Sequence, residues 1–235
     1  MTFPSERNGT PRTITHGGGR PPVYKTRDGK RVPSVTTITG RFKDSGGLIG
    51  WAHKMGLEGR DMREEKDDAG TAGTIAHAWI DDTIHGRPLT TFRDVEEDGD
   101  IIANARQALS AFLAWKEQVH LEIVDTERPL ISEELRFGGT YDAVGLVSGE
   151  LALVDWKTSN GVYAEYVVQV AAYSILYEEA FGQELRSAHL LRVGKEWGDF
   201  HYHYYPEVIL EQGNEAFRLM RRLYDLDAVL KKVAA

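Results

Sequence analysis

Asp155 and Lys157 stand two residues apart inside Leu153-Val154-Asp155-Trp156-Lys157-Thr158, and Asp142 closes Gly139-Thr140-Tyr141-Asp142 thirteen residues before Asp155. Both segments have the composition of strands. Side chains on a strand alternate between faces, so Asp155 and Lys157 share one side while Val154 and Trp156 take the other and are available to a core. Ser148-Gly149-Glu150 reads as the turn of a hairpin, and an antiparallel neighbour then brings Asp142 beside Asp155. Two converging carboxylates suit a hard divalent cation such as Mg²⁺ or Mn²⁺, which takes oxygen ligands and keeps waters that can become nucleophiles. An ammonium group beside them makes sense if a phosphate lies there too, because Lys157 then holds the attacking water or offsets the charge growing on phosphorus.

The competing explanation is an ordinary ion pair on a solvated strand. Two other acid-x-Lys triplets serve as controls: Asp28-Gly29-Lys30 has turn chemistry, and Glu64-Glu65-Lys66 lies in a polar, helical stretch. Neither sits in an apolar strand with a second acid nearby. Downstream of Lys157, Val168, Ala171, Ala172, Ile175 and Leu176 mark an apolar stripe on a helix over 165–181, where Gln169 and Tyr173, four apart, share a face. Upstream, Gly73-Thr74-Ile75-Ala76-His77 opens a helix whose apolar side carries Ile80 and Ile84. By itself His77 reads more readily as a satisfied core or boundary histidine than as a ligand.

Taken together, Gly-Thr-x-x-His77, Gly-Thr-Tyr-Asp142, Asp155-Trp-Lys157-Thr-Ser and Gln169-x-x-x-Tyr173 resemble, in order and spacing, the RecB-like branch of the PD-(D/E)XK nuclease superfamily. Val32-Pro33-Ser34-Val35-Thr36-Thr37-Ile38, followed by Leu48-Ile49-Gly50-Trp51-Ala52, is similar to the opening of phage-encoded and mitochondrial genome-maintenance exonucleases of that branch. The resemblance implies a restriction-endonuclease-like core and a Mg²⁺- or Mn²⁺-dependent nuclease acting on DNA, at ends or on single strands. It implies His77, Asp142, Asp155 and the backbone carbonyl of Trp156 as metal ligands, Lys157 as the catalytic lysine, and Gln169 and Tyr173 as supports for that lysine or contacts to the phosphate backbone. Glu133 or Glu134 is a loosely aligned further carboxylate. A helicase or recombination protein is the kind of partner such an enzyme takes, in DNA repair, recombination or replication. Two alternatives remain open at this point: a non-catalytic nucleic-acid-binding module on a nuclease scaffold, and a nuclease acting on RNA.

Zero cysteine excludes a cysteine-held iron–sulfur cluster, disulfides and thiol nucleophiles. With 235 residues and 41% hydrophobic content the chain can bury a substantial core. No apolar run approaches a membrane span and the first residues lack the apolar centre of a secretion signal, so a cytoplasmic, membrane-free protein is expected. The net charge of −8 is uneven: residues 1–60 hold 11 Lys and Arg against 4 Asp and Glu. Arg20, Lys25, Arg27, Lys30, Arg31, Arg41 and Lys43 are candidates for a phosphate path, or simply solvated charges.

The expected organisation is a disordered basic arm over 1–20 and one nuclease domain over 21–235. Val23-Tyr24-Lys25 and Arg31-Val32 flank Asp28-Gly29 as a hairpin. Helices are expected over 47–59, 71–85, 98–119 and 207–231 besides 165–181, and strands over 121–135, 138–148, 151–157, 186–194 and 200–205. This order predicts an α/β fold with a central mixed β-sheet flanked by helices on both faces. His201-Tyr202-His203 offers two histidines on one strand face with no third ligand in sequence, and reads as a strand-face pair rather than a metal site.

Overall fold

The computed structural model describes residues 13–14, 22–43, 46–59, 61–92, 95, 99–159, 161–193 and 199–234. In chain order the elements are β1 (Thr13–Ile14), β2 (Tyr24–Lys25), β3 (Arg31–Val32), α1 (Val35–Arg41), α2 (Gly46–Leu57), α3 (Met62–Ile84), β4 (Thr91–Phe92) and α4 (Asp100–Gln118). They continue with β5 (Glu122–Thr126), β6 (Pro129–Ser132), β7 (Phe137–Thr140), β8 (Ala143–Val147), β9 (Glu150–Thr158), α5 (Ala164–Phe181), β10 (Ser187–Val193), β11 (Phe200–Pro206) and α6 (Glu207–Ala234).

Five strands form the central sheet in the order β11-β10-β9-β8-β5, with β9 and β10 parallel and the other neighbours antiparallel. The parallel pair needs a crossover, which α5 supplies. On one face Val144, Leu153 and Ala188 pack under α1, α5 and α6 with Ile38, Leu176 and Phe217. On the other, Ala143, Ala152, Val154 and Trp156 pack against Ile80 of α3 and Phe112 and Trp115 of α4. Burial on both sides explains why Leu151-Ala152-Leu153-Val154 is apolar throughout instead of alternating. The mixed sheet with helices on both faces is the architecture expected from the sequence.

The differences lie at breaks and ends. The expected strand over 121–135 is two strands, because Glu127 takes a left-handed φ of 46° and Pro129 follows it. The strand expected over 138–148 also divides, with Tyr141 and Asp142 between β7 and β8. Helix α3 begins at Met62, well before residue 71: its first turns are charged and carry no apolar stripe to read, yet acids suit a helix N-terminus. Helix α1, absent from the sequence-based layout, is capped by the Ser34 hydroxyl, which accepts from the Thr37 N–H at 3.0 Å. The β2–β3 hairpin forms as expected around Gly29, whose φ is +76°. Of the arm expected over 1–20, Thr13–Ile14 pair in parallel with β4, and the rest lies outside the described residues.

Candidate metal and phosphodiester site

Strand β9 presents Asp155 and Lys157 to one face, as its period requires, and the Lys157 Nζ lies 2.6 Å from Asp155 Oδ2. Asp155 is 1% exposed, and its Oδ1 is buried without a hydrogen-bond partner. Burial raises the Asp155 carboxyl above its ordinary range and the Asp142 charge adds to this, while Lys157 opposes both. Burial would lower Lys157, but the carboxylates of Asp155 and Asp142 outweigh it and hold the ammonium above its ordinary range.

Asp142 sits at the bend before β8, where Oδ2 accepts the Trp156 N–H at 3.0 Å. The register that pairs Ala143 with Val154 therefore carries Asp142 to the edge of the Asp155 site. His77 comes from α3, where Gly73 permits close approach to β9: a Cβ there would stand 2.5 Å from Thr158 Oγ1. The His77 Nε2 lies 3.1 Å from the Trp156 carbonyl oxygen, and its Nδ1 lies 3.6 Å from Asp142 Oδ1 and 4.0 Å from Glu127 Oε1. Ligand atoms of His77, Glu127 and Asp142 all fall within 4.8 Å of one another, the one such group among the described residues.

Glu127 was not among the sequence-based candidates. It is placed by the break between β5 and β6, where its backbone N–H donates to the Asp142 carbonyl at 3.1 Å. The available signal was an acid directly before Arg128-Pro129, at a point where no central strand can continue. Glu133 and Glu134 instead occupy the β6–β7 turn: Glu133 Oε1 accepts the Arg27 N–H at 2.8 Å, and the Glu133 N–H donates to Glu179 at the same distance.

Gln169 and Tyr173 share one face of α5, with Gln169 Nε2 donating to the Tyr173 hydroxyl at 2.9 Å. Tyr173 is buried against β7, since a Cβ on Gly139 would meet its ring at 2.7 Å. Burial raises the Tyr173 hydroxyl, against the charge of Lys157. An open cleft of about 680 Å³ leads in, lined by Gly70, Gly73, Thr74, His77, Glu127, Thr158 and Tyr166. Lys157 Nζ lies 5.6 Å from the ring centre of Tyr166 in that lining, and Tyr163 meets Tyr166 edge-to-face at 5.5 Å. Lys43 reaches this end by pairing with Glu165 at 2.5 Å. Lys30 and Arg41 pair with Asp28 and Asp227, Lys25, Arg27 and Arg31 are exposed, and Arg20 lies outside the described residues. His201 and His203 lie on the outer strand β11, His201 beside Asp199 at 3.3 Å.

The residues present fit a hard divalent cation. The donors are carboxylate oxygens with one imidazole, and the unpartnered Asp155 Oδ1 is a buried acceptor with a place for a positive ligand.

A family model for the PD-(D/E)XK nuclease superfamily matches residues 50–221, and the chain belongs to that superfamily. Among solved structures it is similar to a putative exonuclease from Eubacterium rectale, at 14% identity over 79% of this chain and 69% of that one, with a TM-score of 0.38. It is also similar to an alkaline exonuclease from Laribacter hongkongensis, at 12% identity over 68% and 83%, with a TM-score of 0.34; that enzyme has also been solved with dAMP. A third, the SSO0001 protein, is 15% identical over 51% of this chain, which spans 59% of its length, with a TM-score of 0.30. No curated protein matches. Among the described residues no helix is long and apolar enough to cross a membrane.

Proposed function

We propose that the protein is a Mg²⁺- or Mn²⁺-dependent deoxyribonuclease, an exonuclease working on DNA ends or single strands in DNA repair, recombination or replication. The observation that carries this is the meeting of His77, Glu127 and Asp142 beside a buried Asp155–Lys157 pair at the end of an open cleft. Asp142, Asp155, His77 and Glu127 are the side chains to hold the cation. The Trp156 carbonyl, 3.1 Å from His77 Nε2, is a further candidate donor to the cation. The ion would supply Lewis acidity and neutralise phosphate charge.

This chain's own groups do the rest. Lys157, kept charged by its acidic neighbours, orients the attacking water and offsets charge growing on the phosphate oxygens. Gln169 and Tyr173, bonded to each other, fix the α5 side of the Lys157 pocket. Tyr166 and Tyr163 offer apolar faces to an unpaired base, which favours single strands over a closed duplex.

The test is digestion of end-labelled linear duplex, circular duplex, single-stranded DNA and RNA with Mg²⁺, with Mn²⁺ and with chelator. Divalent-dependent loss of linear or single-stranded DNA, with circles spared, is the expected result. Preferred cleavage of RNA would replace the substrate, and binding without hydrolysis would make the protein a non-catalytic nucleic-acid module.

A further inference from the structure

Helix α6 carries two apolar seams where a surface helix needs one. The inner seam, Leu210, Gly213, Phe217, Met220 and Tyr224, packs on α5 and the sheet. The outer seam is Leu219, Leu223, Leu226, Leu230 and Val233, between 47% and 81% exposed. At about 100° per residue the two seams are centred roughly 140° apart, so they face different sides of the helix. The outer spacing is four, three, four, three, the repeat that lets two helices interlock side chains along a shared seam. Scattered exposed apolar side chains are ordinary, but four leucines and a valine in one unbroken helical line form a continuous patch.

We infer that this outer seam pairs with the same seam of a second copy of the chain, the two α6 helices running parallel in a two-stranded coiled coil. Self-association fits because the flanking charges complement themselves. Arg222 and Asp227 border the seam on opposite sides and stand five residues apart, the offset at which a parallel pair brings Arg222 of one chain to Asp227 of the other. The own-chain bonds of Asp227, from Arg41 and Lys231 at 2.7 to 3.0 Å, all go to Oδ2, which leaves Oδ1 as acceptor. None of the site residues lies on α6, so pairing leaves the cleft of each copy its own.

Light scattering or sedimentation of the full chain at rising concentration should approach twice 26.3 kDa. Leu226→Glu with Leu230→Glu should hold it at one chain without changing circular dichroism or hydrolysis per chain, and Arg222→Glu alone should weaken association. Because the chain has no cysteine, Leu226→Cys reports alignment directly: parallel helices in register oxidise to an inter-chain disulfide, while Ala228→Cys, on the far side of the seam, does not. A monomer at every concentration, an assembly indifferent to the glutamate pair, or one larger than two chains would overturn the inference.

Discussion

At Asp155 and Lys157 each charge is tolerated in the interior because the other is there. Removing the cation alone leaves a carboxylate that is 1% exposed without its partner. Lys157→Met should therefore destabilise the fold by about 3–5 kcal/mol, and Asp155→Leu combined with it should recover much of that loss, since an apolar pair replaces a buried ion pair at little cost. Urea unfolding of the two variants measures the difference, and both should lose hydrolysis by at least ~10²-fold. Glu127 behaves differently because its side chain is 42% exposed. Glu127→Gln should change stability by no more than about 0.5 kcal/mol. It should weaken divalent-ion binding about 10–100-fold, a loss known even for groups that only support a ligand. Calorimetric titration separates it from Glu133→Gln, which should bind the ion as wild type does.

At the scale of elements, the pairing of β10 with β11 buries a titratable group on the α4 side of the sheet, where His189 is paired with Val154. His189 lies 5% exposed among Trp115, Tyr202 and Tyr204, its Nδ1 2.7 Å from the Tyr202 hydroxyl. Burial lowers its pKa to about 4. In the unfolded chain it titrates near ~6.5. Between those values the unfolded chain binds a proton that the folded chain refuses, so stability is complete above about pH 6.5 and falls as pH drops toward 4. Urea midpoints at pH 7.5 and pH 5, as assay conditions, should differ less in His189→Gln than in wild type; an equal drop in both would show that other groups set the acid limb. The long regular elements were legible for two reasons: α4 and α5 repeat an apolar period over many residues, and β9 and β10 are short apolar runs of the kind a strand buried on both faces requires. α1 and the breaks at Glu127 and Asp142 were not, because a cap, a left-handed residue and a bend are fixed by single local bonds.

For the whole molecule, a site assembled from α3, the β5–β6 break, the β7–β8 bend and β9 exists only when these are folded together. An ion that binds it stabilises the fold by mass action, about 2.7 kcal/mol at a hundredfold excess over its dissociation constant. For a chain of this size that is roughly 5–10 °C in unfolding temperature. Thermal scans with chelator and then with excess Mg²⁺ or Mn²⁺ should show the rise in wild type and none in Asp155→Asn. A rise of equal size in that variant would place the ion elsewhere.

The sequence by itself determined the pair Asp155 and Lys157, the facing Asp142, the Gln169–Tyr173 couple and the order of the long helices and central strands, since these rest on patterns that can be read along the chain. Only the tertiary structure decided that Glu127, and not Glu133 or Glu134, joins His77 and Asp142, and that among the described residues the outer seam of α6 is exposed. The reason is that side-chain convergence depends on how elements separated by dozens of residues dock. A close approach such as Gly73 against Thr158, or a turn of the backbone at one residue, moves a carboxylate by more than the width of a metal site.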